Sequence, residues 1–337
     1  MKKKICVLLV AVLVLALAAA AVVPPATAKK TLASPSFGAY QHVFIIGVDG
    51  AGQFLRDIDT PNFDRIFKDG AVSYAVRTEV PSDSGPNWAS ILTGVSYFKH
   101  LIHNGSSGEV QRTSDTKHPS IFGVARAALP KAELASFVNW NNVNFGMVET
   151  DLGVTEKTVA PDADLCDAIC AYFDAGNAPA IFFVQFDEVD AAGHANGSAS
   201  EEYADAIRTA DGYVGRIYDT LDRNGLLEDS LFLVTADHGH KVTGGHGRFS
   251  LNESLTTIAA AGKTVQPGGT LDKVTRDRDI AAITLFALGI DRPQTMSARV
   301  PSNLFADTPG EARSFYKDPL DGILSPIMWI VTQFWKG

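Results

Sequence analysis

The sequence predicts an α/β protein with a doubly wound, mostly parallel sheet and helices on both of its faces. Three short apolar runs rich in Val, Ile and Phe, at 42–48, 181–186 and 231–236, predict strands that are buried on both sides. Helical patterns alternate with such runs, most clearly at 201–224. Strands that alternate with helices in this order are typical of a doubly wound sheet.

The chain of 337 residues is long enough for one large α/β domain, which we place at residues 40–306. The first 28 residues differ from it: three lysines precede the apolar run 5–23, two prolines follow, and Ala26-Thr27-Ala28 forms a small-x-small site. This pattern predicts a signal peptide cleaved after Ala28, and hence a secreted, periplasmic or cell-surface protein. An uncleaved membrane anchor is the alternative, since the apolar run approaches the ~20 residues that span a bilayer.

The formal net charge of −9 restricts the partners of the protein. A surface this acidic repels polyanions, so nucleic acid in bulk is excluded as a partner. A small anionic substrate remains compatible with this charge if metal ions provide local positive charge. Outside the signal segment only Cys166 and Cys170 remain, four apart on a helix predicted at 162–175. They either form a bridge or are two small, half-buried side chains.

Each predicted strand ends in an acidic residue, and two of these ends also carry histidines. Asp237 and His238 follow one strand, with His246 eight residues further on; Asp190 and His194, four residues apart, follow another. Asp49 follows the first strand. A single Asp at such a position is usually a helix cap. Three such ends meet at the carboxyl edge of a parallel sheet, and mixed carboxylate and imidazole ligands favour Zn²⁺.

Ser84 is the candidate nucleophile, because it lies in the turn 81–86 at the start of a helix predicted from Asn87 to Leu92. Backbone N–H groups at a helix start favour an anion, and a nearby metal ion would lower the pKa of the hydroxyl. A plain N-cap is the structural alternative. The chain contains neither a Gly-x-Ser-x-Gly elbow nor a P-loop.

Taken together, these motifs resemble the type I phosphodiesterase/nucleotide pyrophosphatase branch of the alkaline phosphatase superfamily. The similarity extends from about Val43 to Leu288 and rests on Asp49-Gly50, 60–65, Ser84-Gly85-Pro86-Asn87, 186–194 and Asp237-His238-Gly239. The resemblance implies an alkaline phosphatase-like fold with two zinc ions. One ion would be held by Asp49, Ser84, Asp237 and His238, and the other by Asp190, His194 and His246, with His240 as a neighbour of the last.

The resemblance further implies an enzyme that hydrolyses phosphodiesters, pyrophosphates or monoesters of a small phosphorylated substrate through a phosphoserine at Ser84. Asn87 matches the asparagine that holds the phosphoryl oxygen in that branch. The segment 137–142, with Trp140, either lines the leaving-group pocket or is a strand end and a turn. A sulfatase is one rival, although Trp88 stands where sulfatases need arginine. A metal-stabilised binding protein without turnover is the other.

The last part of the chain, residues 307–337, is predicted as a C-terminal tail. Its segment 323–335 is apolar, and Ile327, Ile330, Val331 and Phe334 recur at helical spacing. The segment is shorter than the ~20 residues of a spanning helix. It is therefore expected either to pack on the catalytic domain or to make peripheral contact with a membrane.

Overall fold

The computed structural model describes residues 34–313 and 318–321, together with Leu324 and Ile327. The predicted signal segment 1–28 and most of the predicted tail helix lie outside the described residues, so both stay predictions. Within the described part, no helix combines the length and the apolar character needed to cross a membrane.

The described strands form one seven-stranded sheet in the order β2-β7-β6-β1-β5-β3-β4. Their bounds are β1 His42–Val48, β2 Ala71–Arg77, β3 Leu134–Val138, β4 Thr155–Thr158, β5 Ile181–Phe186, β6 Ser230–Thr235 and β7 Leu255–Ala261. In the centre, β1 pairs in parallel with both β5 and β6. Only β7 is reversed, and it runs antiparallel to β6 and β2. The predicted mostly parallel sheet is confirmed, with an antiparallel pairing at one edge.

Helices cover both faces of this sheet, as predicted. They are α1 Pro61–Phe67, α2 Ser84–Thr93, α3 Tyr97–His100, α4 Asn104–Glu109, α5 Ile121–Ala128, α6 Asn142–Gly146, α7 Asp162–Asp174, α8 Glu188–Asn196, α9 Glu201–Arg223, α10 Leu251–Ser254 and α11 Asp279–Ala287. The helix that the sequence places at Asn87 begins three residues earlier, at Ser84. Cys166 and Cys170 are free thiols on α7.

Two apolar cores lie on opposite faces because side chains alternate along each strand. From β1, Val43 and Ile45 enter the core covered by α2, α5 and α11. Phe44 and Ile46 enter the other core, which α1, α7 and α9 cover. Full burial of side chains of this size contributes roughly 1.5–3 kcal/mol each relative to exposure. The central strands are therefore a rigid base for the residues that follow them.

The three central strands, β5, β1 and β6, end side by side. Asp187, Asp49 and Ala236-Asp237 follow these ends directly. In open α/β sheets this carboxyl edge is where ligands bind. The fold therefore brings together acidic residues that are far apart in the sequence.

Candidate active site

Asp49 is buried at the end of β1, and hydrogen bonds fix one of its two carboxylate oxygens. Its Oδ2 atom accepts hydrogen bonds from Trp88 Nε1 at 2.7 Å and from Gln185 Nε2 at 2.9 Å. Its Oδ1 atom lies 3.4 Å from Ser84 Oγ. Burial raises the pKa of Asp49 well above its usual value, and the neighbouring Asp237 carboxylate raises it further. A carboxylate in this position is stable as an anion only beside a cation.

Asp237 and His238 follow β6 and are both fully buried. Oδ1 of Asp237 accepts a hydrogen bond from Gly50 N, while Oδ2 has no hydrogen-bond partner in the described part of the chain. His238 Nε2 lies 3.3 Å from that Oδ2 and 3.4 Å from Oδ1 of Asp49. Burial raises the pKa of Asp237 and lowers that of His238. Asp49, Asp237 and His238 thus form a first cluster of possible metal ligands.

A second cluster joins α8 to the glycine-rich loop after β6. Asp190 and His194 lie one turn apart on α8, and Gly245-His246-Gly247 brings the third side chain to them. The Nε2 atoms of His194 and His246 are 3.0 Å apart. Oδ2 of Asp190 lies 3.4 Å from His194 Nε2, and Oδ1 lies 3.5 Å from His246 Nε2.

The donor atoms of both clusters fit metal ions. A tetrahedral zinc ion with bonds of ~2 Å keeps its ligand atoms about 3.3 Å apart. The Nδ1 atoms of His238 and His246 lie 3.2 Å from Gly239 O and 2.8 Å from Ser82 O. Carbonyl oxygens only accept hydrogen bonds, so both rings carry their proton on Nδ1 and turn the Nε2 lone pair into a cluster. The unpartnered Oδ2 of Asp237 adds a further free ligand atom.

His240 also contacts the second cluster, in a different way. Its Nε2 atom lies 2.9 Å from Oδ1 of Asp190, and its buried Nδ1 has no partner among the described residues. Glycines make room for this ring, because a Cβ at Gly50 or Gly193 would come within 2.8 or 2.4 Å of it. Burial raises the pKa of Asp190, but the hydrogen bond from His240 and the nearby rings lower it to about 2 overall.

Ser84 lies at the first cluster, as expected of the predicted nucleophile. Its Oγ atom is 3.1 Å from His238 Nε2 and 3.4 Å from Asp49 Oδ1, at the N-terminus of α2. One turn further on, the Trp88 ring packs directly on Gly47, where a Cβ would meet it at 2.4 Å. Trp88 is thereby fixed as a partner of Asp49, in the place where a sulfatase needs arginine.

The structure contradicts the role expected of Asn87. This side chain is fully buried, and its Oδ1 atom accepts a hydrogen bond from Glu79 N at 2.7 Å. Its Nδ2 atom donates to Asp83 O at 2.7 Å and to Pro81 O at 3.4 Å. Asn87 therefore has no free donor for a phosphoryl oxygen. It stabilises the loop 79–83 that leads to Ser84.

Asn104, which the sequence reasoning missed, lies at the nucleophile instead. This exposed side chain opens α4, and its Oδ1 atom accepts a hydrogen bond from Gly85 N at 2.7 Å. Its Nδ2 atom makes no hydrogen bond to any described residue. No spacing rule links Asn104 to a serine twenty residues earlier, so only its place in the fold identifies it.

Gln185 was also missed, and it connects several parts of the site. It is fully buried in β5 and donates from Nε2 to Asp49 and to Asp187. Its Oε1 atom accepts a hydrogen bond from the backbone N–H of Trp140 at 2.9 Å. The Trp140 side chain is half-buried and packs against the apolar core beside α2. Gln185 thus ties the segment 137–142 to the carboxylates at the sheet edge.

The chain resembles known proteins in sequence. The sequence model of the family described as type I phosphodiesterase/nucleotide pyrophosphatase matches residues 43–317. Human ectonucleotide pyrophosphatase/phosphodiesterase family member 7 is 23% identical over 224 residues, which cover 60% of this chain and 49% of the human protein. GPI ethanolamine phosphate transferase 1 of Saccharomyces cerevisiae is 24% identical over 139 residues, or 36% of this chain and 15% of the yeast protein. The matches thus span about half of the human relative's length and less of the yeast one's.

Solved structures show the same fold at lower sequence identity. Murine ectonucleotide pyrophosphatase/phosphodiesterase 5 superposes with a TM-score of 0.62 at 15% identity, covering 82% of this chain and 99% of the murine one. An inactive variant of that murine protein, in complex with AMP, superposes with a TM-score of 0.61 at 15% identity, covering 82% and 98%.

Proposed function

Because the chain belongs to the type I phosphodiesterase/nucleotide pyrophosphatase family of metal-dependent phosphoric ester hydrolases, within the alkaline phosphatase superfamily, we propose that it is an exported two-zinc enzyme that cleaves small phosphate esters. The observation that supports this most directly is the position of Ser84. Its hydroxyl lies between Asp49 and His238 at a helix N-terminus. The candidate nucleophile, the possible metal ligands and the helix N-terminus that favours an anion therefore lie at one place.

Two zinc ions are proposed because the family typically binds two metals and the two clusters, which share no residue, adjoin here. A third candidate group, formed by Asp190, His238 and His240, overlaps both. Asp49, Ser84, Asp237 and His238 would hold one ion, and Asp190, His194 and His246 the other. His240 would instead orient Asp190, because its protonated Nε2 faces that carboxylate. Three imidazoles among the ligands favour zinc over magnesium. Bound there, the ions would lower the pKa of the Ser84 hydroxyl and offset the charge of the reacting phosphoryl group.

The residues of the chain perform the remaining steps. Ser84 Oγ forms a bond to phosphorus as the bond to the leaving oxygen breaks, which gives a phosphoserine; the hydroxyl proton passes to solvent, and the leaving oxygen takes one up and departs as an alcohol. Water then adds to this phosphorus as the bond to Ser84 Oγ breaks, which releases the phosphate product and restores the hydroxyl. The free Nδ2 of Asn104 and the backbone N–H groups at the start of α2 would bind the charged phosphoryl oxygens. These donors are fixed before the substrate arrives, so they need no reorganisation during the reaction.

Hydrolysis of two nitrophenyl substrates tests this proposal. The purified, zinc-loaded protein is given bis(4-nitrophenyl) phosphate and 4-nitrophenyl phosphate, with Ser84→Ala as the control. We expect a higher kcat/KM for the diester, in keeping with the family. A preference for the monoester would move the substrate class to phosphomonoesters. Hydrolysis of neither ester, with zinc bound, would overturn the proposal and favour a binding protein without turnover.

Sulfate esters provide a matched negative control. Trp88, bonded to Asp49, occupies the position where sulfatases need arginine. We therefore expect no hydrolysis of 4-nitrophenyl sulfate under conditions that cleave the phosphate esters. Turnover of the sulfate at a comparable rate would instead support the sulfatase alternative.

Export is supported by Lys2–Lys4, the apolar run and the site Ala26-Thr27-Ala28. N-terminal sequencing of the protein recovered from outside the cytoplasm checks it. A mature chain that begins at Lys29 is expected. An intact N-terminus on a membrane-bound protein would support the uncleaved anchor.

A further inference from the structure

Arg278 is a fully buried guanidinium shared by two carboxylates from distant parts of the chain. Its Nη1 atom donates a hydrogen bond to Glu79, and its Nη2 atom donates one to Asp321. Arg278, Glu79 and Asp321 are 0, 1 and 3% exposed. Buried charges of this kind are tolerated only when they are paired. Each of the three side chains therefore depends on the other two.

Glu79 belongs to the loop that leads to the nucleophile. Its side chain also accepts a hydrogen bond from Tyr97 N at 3.3 Å, and its backbone N–H donates to Asn87. Asn87 in turn donates to Asp83 O, the residue before Ser84. A shift of Glu79 would therefore move the residues that set the position of the Ser84 hydroxyl.

Asp321 belongs to a short described segment, 318–321, that is anchored at the same corner of the molecule. Oδ2 of Asp318 accepts hydrogen bonds from Ser96 N and Ser297 Oγ, both at 3.4 Å. Oδ1 of Asp318 accepts one from the backbone N–H of Asp321 at 3.4 Å. Asp318 is itself buried. The segment is thus bound through its carboxylates, while Leu320 between them is exposed.

We propose that residues 318–321 form a clasp that holds the loop 79–84 in place. In this clasp, Asp321 is a positioning residue that acts on Ser84 through Arg278 and Glu79. Loss of the Asp321 charge leaves Glu79 as the remaining charged partner of Arg278 in this triad and weakens the hydrogen bond from the buried Nη2 group. The loop 79–84 must then shift or admit water to satisfy that group. Turnover thereby depends on a segment more than two hundred residues away from the nucleophile.

Asp321→Asn tests the clasp, with Leu320→Ser as the matched control in the same segment. Hydrogen–deuterium exchange should become faster at the backbone amides of 79–87 in Asp321→Asn, and no faster than wild type along α11. At a temperature well below melting, kcat should fall by about tenfold, since small misplacements of reacting groups are costly. KM and zinc content should stay at the wild-type values. Leu320→Ser should leave exchange and kcat unchanged.

A lower melting temperature for Asp321→Asn, with unchanged exchange at 79–87 and unchanged kcat, would overturn the clasp. If that variant does not fold, Asp321→Glu keeps the charge and lengthens the side chain by one methylene. Faster exchange at 79–87 and a lower kcat are expected of this variant too. The kinetic half of this test rests on the proposed function. The exchange half does not: a wild-type protein without hydrolysis would refute the enzyme, while unaltered exchange would refute the clasp.

Discussion

The side-chain oxygen of Asn104 accepts a hydrogen bond from the backbone N–H of Gly85 at 2.7 Å, which places the Asn104 amide beside the nucleophile candidate Ser84. Glycine is needed for this approach, since a Cβ at Gly85 would lie 2.6 Å from the backbone nitrogen of Asn104. Asn87, only three residues from Ser84, is turned into the loop instead. Replacing Asn104 should therefore mainly lower turnover, whereas replacing Asn87 should mainly lower stability.

Asn104→Ala should lower kcat by about 10²-fold, because one preorganised donor to the phosphoryl group is lost. Its free energy of unfolding should fall by only about 1 kcal/mol, since only the hydrogen bond from Gly85 N to this exposed side chain is lost. Asn87→Ala should instead lower the free energy of unfolding by about 2 kcal/mol, because it leaves the buried N–H of Glu79 without a partner. Kinetics and thermal melting on both variants check this. The opposite pattern would return the phosphoryl-binding role to Asn87.

Ser84→Ala should remove nearly all turnover while the fold and most of the bound zinc are retained. Ser82→Ala is the matched control: its hydroxyl donates to Arg248 O and accepts from Gly247 N, next to the loop residue His246. Loss of these two bonds should lower the free energy of unfolding by roughly 1 kcal/mol each and leave kcat within about tenfold of wild type, because neither bond involves the reacting atoms. Steady-state kinetics and metal analysis distinguish the two variants. A more severe loss in Ser82→Ala would show that Ser84 is not the nucleophile.

Metal content should separate the two histidines near Asp190. His246→Ala removes a ligand whose Nε2 faces His194 at 3.0 Å, so bound zinc should fall from two ions to about one. His240→Ala removes only the hydrogen bond to Asp190, and it should keep two ions with affinity lowered by about 10–100-fold. Zinc analysis after dialysis measures both. If His240→Ala lost an ion and His246→Ala did not, His240 would be the metal ligand and His246 the residue that orients Asp190.

Glu156 on β4 should make stability depend on pH independently of the metal site. Burial raises the pKa of Glu156 from 4.5 to about 7 in the folded protein. The folded state therefore holds this proton more tightly than the unfolded state, and stability falls as pH rises from 4.5 to 7. Because the group is half exposed, the loss is about 1 kcal/mol after solvent screening. Urea unfolding at pH 4.5 and 8, with saturating zinc, should find Glu156→Gln more stable than wild type only at pH 8. An equal difference at both pH values would contradict this.

The three central strands and the position of Ser84 could be predicted because their signals are local. Continuous Val, Ile and Phe runs indicate the buried strands, and β1 and β5 have the predicted bounds. Strand ends in a parallel sheet then bring Asp49 and Asp237 together without further information. The reversal of β7 was not predicted, since its run 255–261 of small and polar residues carries no sign of direction.

Side-chain orientation explains what was missed at the site. Proximity to Ser84 in sequence suggested Asn87, but a helix turn points that side chain away from the hydroxyl. Asn104 contacts Gly85, the residue next to Ser84, only because α4 packs on α2. Gln185 lies within an apolar strand and carries no sequence signal of a functional role. Both His240 and His246 turn Nε2 toward Asp190, so the choice between them likewise depends on which Nε2 carries the proton, and hence on whether Nδ1 has a carbonyl partner. Such relationships follow from tertiary packing, which sequence spacing does not encode.

Zinc titration of the metal-free protein tests the central claim, a two-metal hydrolase that uses Ser84, most directly. The chelated and dialysed enzyme receives zinc in known ratios, and hydrolysis of bis(4-nitrophenyl) phosphate is measured at each step. We expect no turnover without metal and a rise to a plateau near two zinc ions per chain, with magnesium less effective. In Ser84→Ala the same titration should give bound zinc and no turnover. Full activity in the metal-free wild-type enzyme would contradict the account.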